Sequence, residues 1–159
     1  MYINRIAPLA QELESSSILL LGPRQTGKTS YIRNQAPPHR AYDLLKADVF
    51  QRLSARPSLI RESLGPEDRL VVIDEIQKLP SLMDEVHVMI EETGTRFLLT
   101  GSSSRKLARS HTSLMAGRAR TRWLGPLVSA ELDTLDLGRA LDHGMLPSVH
   151  LSAEPALQL

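Results

Sequence analysis

The chain has no cysteine among its 159 residues. Disulfides, thiolate metal sites and cysteine nucleophiles are therefore excluded. Aromatics make up only 4% of the sequence, so aliphatic side chains must dominate the core. No apolar run approaches the roughly 20 residues of a membrane-spanning helix. The N-terminus, Met1-Tyr2-Ile3-Asn4-Arg5, lacks the basic and then apolar regions of a secretory signal, so a cytoplasmic location is the default expectation. Acidic residues vanish from one whole segment. Between Glu92 and Glu131 there is no Asp or Glu, while Arg96, Arg105, Lys106, Arg109, Arg118, Arg120 and Arg122 all lie there. The net charge is nonetheless +1, which favours no class of partner. The five histidines, His39, His87, His111, His143 and His150, show no ligand spacing, so no histidine-built metal centre is expected.

What is present is the pattern of one α/β domain. The length suits a single domain. Ile3, Ile6, Leu9 and Leu13 recur at spacings of three and four, which predicts a short amphipathic helix over 2–14. Apolar runs predict strands at 17–21, 41–44, 70–73 and 96–100. Helices are expected after Lys28, across 46–64 with a break at Pro57, and across 81–92. Continuous apolar strands alternating with helices imply βαβ units and a doubly wound, mostly parallel sheet with helices on both faces. The pattern weakens from Leu137. Residues 1–150 are expected to form the core, and 151–159 an unstructured tail or the start of a truncated C-terminal region.

The run Gly22-Pro23-Arg24-Gln25-Thr26-Gly27-Lys28-Thr29 follows Ile18-Leu19-Leu20-Leu21 directly. G-x-x-x-x-G-K-[ST] after a predicted strand is the context of a phosphate-binding loop. Such a loop opens a helix and turns successive backbone N–H groups inward as an anion nest. The expected binding set is Gly22, Arg24, Gln25, Thr26, Gly27, Lys28, Thr29 and Ser30. Lys28 would reach the β- and γ-phosphates, and the Thr29 hydroxyl would ligate Mg²⁺. Leu70-Val71-Val72-Ile73 then ends in Asp74-Glu75, the Walker B pattern. A carboxylate at that strand end holds Mg²⁺, which assigns Asp74, while Glu75 is the candidate general base that polarises water. The alternative is a surface acidic pair that opens a loop.

Two further positions carry open readings. Phe97-Leu98-Leu99-Thr100-Gly101-Ser102-Ser103-Ser104 ends a strand in small polar residues. Ser102, then Ser103 or Thr100, is the candidate γ-phosphate sensor, and the alternative is a Ser-rich turn that caps the next helix. Arg118 lies in the acid-free segment. It either stabilises charge on a transferring phosphoryl group, or alternates with Arg120 and Arg122 along a strand facing water, which leaves Trp123 and Leu124 to pack. A nucleic-acid surface is the third option, weakened by the scarcity of stacking aromatics there.

Taken together, residues 18–29, Val71-Val72-Ile73-Asp74-Glu75-Ile76-Gln77-Lys78-Leu79-Pro80, 97–104, Ala116-Gly117-Arg118 and Leu124-Gly125-Pro126-Leu127 resemble the prokaryotic predicted ATPases of the AAA+ superfamily that carry a C-terminal domain of unknown function. Gly144-Met145-Leu146-Pro147 resembles the Gly-Gly-Leu-Pro of that family, with Met for the second Gly. The resemblance implies a P-loop NTPase fold, ATP and Mg²⁺ as ligands, a sensor Ser, and Arg118 as a phosphate-facing arginine, which in such relatives often comes from a neighbouring subunit. It covers about residues 1–150, so the expectation is a chain that lacks most of the family's C-terminal domain. The expectation is an ATP-binding domain with slow ATPase activity. A non-enzymatic nucleotide switch for an unknown protein partner and a small-molecule phosphotransferase are the alternatives. A homo-oligomer that supplies Arg118 in trans, no membrane partner, and at most weak nucleic-acid binding complete the expectation.

Overall fold

The structure is a computed structural model that describes residues 2–102 and 117–158. Five parallel strands form its sheet: β1 (Ser17–Leu21), β2 (Arg40–Asp43), β3 (Leu70–Asp74), β4 (Arg96–Gly101) and β5 (Ala119–Trp123). Their order is β2-β3-β4-β1-β5. The chain steps outward from β1 to β2, returns through β3 and β4, and then crosses β1 to reach β5. That reversal at β1 opens a crevice at the carboxyl ends of the central strands, where open α/β sheets bind ligands.

Strand alternation explains the two-sided core. Leu19 and Leu21, Val71 and Ile73, and Phe97 and Leu99 face α3 (Ala47–Ala55), α4 (Leu59–Ser63) and α5 (Leu82–Thr93). Ile18 and Leu20, Leu70 and Val72, and Leu98 face α1 (Leu9–Ser15) and α2 (Lys28–Gln35). Both faces are covered, so the strands read as unbroken apolar runs. On α5, Leu82, Val86 and Met89 are buried at spacings of four and three, as its sequence predicts.

The N-terminal expectation was wrong in part. Helix α1 begins at Leu9, not at residue 2. Pro8 has no N–H to give and biases Ala7 away from helix. Residues 2–7 instead run outside any helix, and Ile6 is exposed. Helices α6 (Leu137–His143) and α7 (Pro147–Leu151) follow the sheet, and Pro155–Gln158 form a 3-10 turn. Asp136 caps α6 by accepting from the Arg139 amide, and Pro147 opens α7 at a position that needs no N–H. Leu124 packs as expected, but Trp123 is exposed.

Candidate functional site

The loop after β1 has the backbone that its glycines imply. Gly22 is forced by close approach, because a Cβ there would lie 2.1 Å from the Leu124 carbonyl oxygen. Gly27 has φ +82°, and Gln25 also occupies the left-handed region at φ 65°. Thr26 is fully buried, and its hydroxyl donates to the Pro23 carbonyl at 3.0 Å. Lys28 is nearly buried; its Nζ donates to the carbonyls of Gly22 and Pro23, both at 2.8 Å. Burial pushes the Lys28 pKa down, and the nearby Glu75 and Asp74 carboxylates work against that shift.

The second strand end converges on the same place. Thr29 Oγ1 donates to Asp74 Oδ2 at 3.4 Å, and Thr100 donates to Asp74 Oδ1. The Glu75 amide donates to Thr100 Oγ1 at 3.1 Å, so one buried hydroxyl braces both acidic residues. Glu75 has φ 59°, a conformation that costs a non-glycine residue of order 1–3 kcal/mol. Ser102 Oγ donates to Glu75 Oε2 at 3.1 Å, and Gln77 Nε2 donates to both Glu75 Oε2 and Ser102 Oγ. Sequence reasoning passed over Gln77 and ranked Thr100 below Ser102, although both lie inside the quoted motifs.

A cleft of about 680 Å³ joins these groups; Arg24, Gln25, Gly27, Lys28, Thr29, Ser30, Asp74 and Glu75 all line it. Thr29 and Asp74 supply hard oxygen donors, the kind Mg²⁺ accepts. Among the described residues no group of three or more His, Asp or Glu could hold a metal by itself.

Pro147, Ser148 and Leu151 of α7 close the same cleft, and Tyr2, Ile3, Arg5, Leu127, Pro147 and Leu151 line a small pocket of about 70 Å³ against Thr26, Gly27 and Ser30. Sequence reasoning missed this wall. Its only signal was Gly144-Met145-Leu146-Pro147, which the Leu127 amide ties down by donating to the Met145 carbonyl at 2.8 Å.

Arg118 is elsewhere. Its guanidinium pairs with Glu91 on α5, with Nε to Oε1 at 2.7 Å, and that contact holds the Glu91 pKa below its ordinary value. It does not line the cleft. Arg120 and Arg122 lie on β5, and Arg122 Nε donates to the Glu12 carboxylate at 2.8 Å. Ser103, Arg105, Lys106 and Arg109 lie outside the described residues.

The comparisons agree with this architecture. A family model described as an AAA domain matches residues 14–132, well over half of the chain. Among solved structures, the Aeropyrum pernix ORC2 protein in its ADP form is similar over 82% of this chain and 50% of its own, at 15% identity and a TM-score of 0.54. Domain III of the Thermotoga maritima replication initiation protein DnaA aligns over 77% of this chain and 60% of its own, at 16% identity and a TM-score of 0.44. The chain thus spans about half the length of the ORC2 protein it resembles. No curated protein matches it.

Proposed function

The chain belongs to the AAA domain family and is a nucleotide-binding AAA+ module, and from that premise we propose that it binds ATP with Mg²⁺ and hydrolyses the γ-phosphate slowly. One observation carries the reading: Arg24, Gln25, Gly27, Lys28 and Thr29 of the loop and the carboxylates Asp74 and Glu75 line a single cleft at the carboxyl end of the sheet. The backbone N–H groups of the loop and Lys28 hold the phosphates. Thr29 and Asp74 hold Mg²⁺, which when bound neutralises charge on the β- and γ-phosphate oxygens. Glu75 accepts a proton from the attacking water. Thr100 on β4 and Ser102 just beyond it fix the two carboxylates.

A second reading rests on an observation of its own. Glu75 Oε2 already accepts from Ser102 and Gln77, and Arg118 is engaged by Glu91. A module in that arrangement binds ATP and changes partners with little turnover. On the ATPase reading, a cation for the transferring phosphoryl would come from a second subunit, with Arg118 moved off Glu91. Phosphate release and ADP formation, measured across protein concentrations with and without candidate acceptors, test the set. ATP hydrolysis per subunit that rises with concentration supports the slow ATPase. Binding with neither phosphate nor ADP formed at any concentration supports the switch, and ADP formed only with an acceptor, the phosphoryl group passing to that acceptor and no free phosphate appearing, supports a phosphotransferase.

A further inference from the structure

The most deeply buried ion pair among the described residues is not in the cleft. The side chains of Arg5 and Glu131 are 6% and 3% exposed, and Arg5 Nε donates to Glu131 Oε1 at 2.8 Å. Glu131 also accepts from the amides of Ile6 and Val128, at 3.2 and 3.1 Å. Every carboxylate oxygen is thus in use. The remaining face of Arg5 reaches two other segments. Its Nη1 donates to the Thr26 carbonyl at 3.0 Å, and its Nη2 to the carbonyls of Gly125 and Pro126 at 3.0 and 3.2 Å.

We infer that Arg5 is a positioning residue that sets the phosphate loop, holding it from behind against the 124–126 segment. A trans peptide unit is planar, with its C=O and N–H opposed. Fixing the Thr26 carbonyl on Arg5 therefore aims the Gly27 N–H the opposite way. Thr26 lies between two residues in the left-handed region, Gln25 and Gly27, so this peptide could rotate unless held. The other end of the loop leans on the same segment. Gly22 packs against the Leu124 carbonyl, and the Leu124 amide donates to the Leu21 carbonyl at 2.7 Å. Both ends of the loop are thus referred to residues 124–126, one by direct contact and one through the guanidinium. Only a planar fork reaches the loop, the segment and Glu131 at once; an ammonium keeps the charge and loses the span.

The inference rests on reading residues 22–29 as a phosphate site, and its test separates the two. Backbone ¹⁵N order parameters of Gln25–Lys28 report the loop directly. Titration with Mg²⁺ and tripolyphosphate, a probe with no base, reports its use. Arg5→Lys retains the pairing with Glu131 and is the variant expected to fold; Arg5→Met and Glu131→Gln extend the series. Met89→Ala, in the core on the other face of the sheet, is the control for lowered stability. In folded Arg5→Lys, order parameters for Gln25–Lys28 should fall from about 0.85 toward 0.6 or below. Tripolyphosphate and ATP should both bind about 10- to 100-fold more weakly, by analogy with the loss of an outer-shell partner at a metal site. Met89→Ala should lower Tm and leave both readouts unchanged. Unchanged order parameters in folded Arg5→Lys and Glu131→Gln would overturn the inference. So would a loss confined to ATP, which would place the action of Arg5 at the base. A wild-type chain that binds neither probe, with order parameters that still fall in Arg5→Lys, would sink the phosphate reading and keep the clamp.

Discussion

Arg5 and Arg118 each pair with a glutamate distant in sequence, yet they do different work. Arg5 meets Glu131 out of solvent and spends its other donors on the loop and on residues 125–126. Arg118 meets Glu91 at the surface, where the Glu91 side chain is half exposed. The acid-free segment drew attention to Arg118, but depth and number of partners separate the two. A buried pair broken on one side leaves an uncompensated charge in low dielectric. A surface pair exchanges one hydrated geometry for another.

The cleft itself sets the upper end of the scale. Lys28→Ala should abolish measurable ATP binding by isothermal titration while circular dichroism stays native. Among the described residues Lys28 donates only to the loop's own carbonyls, Gly22 and Pro23, so its loss should spare the core. Affinity near that of the wild type would move the site elsewhere.

Arg5→Met comes next. Removing one member of a buried pair costs about 3–5 kcal/mol, a large part of a domain's stability. Urea unfolding should show a lower midpoint with an unchanged slope. A loss under about 1 kcal/mol would mean that the pair is wetter than its burial indicates.

Arg118→Ala should leave ATP binding by the monomer unchanged. If Arg118 serves a neighbouring subunit, the substitution removes any rise of activity with protein concentration. A fast ATPase independent of both concentration and Arg118 would show that one copy is complete. Any DNA binding by the basic residues should be weak and fade steeply between low and physiological salt. Tight sequence-selective binding at physiological salt would contradict this.

The smallest effect concerns Glu12 and Arg122. The hydrogen bond from Arg122 holds the Glu12 carboxyl below its ordinary pKa. A group depressed in the folded state adds stability above its unfolded pKa and loses it as pH falls through the folded one. Arg122→Ala should therefore cost about 0.2–1 kcal/mol at neutral pH, as surface pairs do. The difference from wild type should close in acid, below the range of a free Glu. A difference that persists there would assign the effect to packing of Trp123 or β5.

The parts of the molecule legible in the sequence were those whose signal is local. Residues 18–29 carry strand, turn and helix start in one run, and 70–75 join an apolar strand to its terminal acids. The strands β1, β3 and β4 emerged within a residue of expectation for that reason. The Arg5 clamp was invisible because its partner is 126 positions away. The same segment misled the helical reading, since Ile3 and Ile6 have helical spacing but the backbone around them is committed elsewhere. The Arg5 carbonyl accepts from Gln35, and the Ile6 amide donates to Glu131. The wall of Pro147 and Leu151 was missed because α7 is only five residues long, too short for periodicity to register.

On the proposed function, one cleft both holds ATP and cleaves it, with Lys28, Thr29 and Asp74 on the first task and Glu75 on the second. The most direct measurement is Mg²⁺-dependent ATP affinity and phosphate release on the same samples of wild type, Glu75→Gln and Asp74→Asn. Glu75→Gln should bind with affinity within about twofold of wild type and release phosphate at least about 100-fold more slowly, the minimum expected when a general base is lost. Asp74→Asn should instead lose the part of the affinity that depends on Mg²⁺. Unchanged hydrolysis in Glu75→Gln, or the two effects exchanged between the carboxylates, would contradict the account.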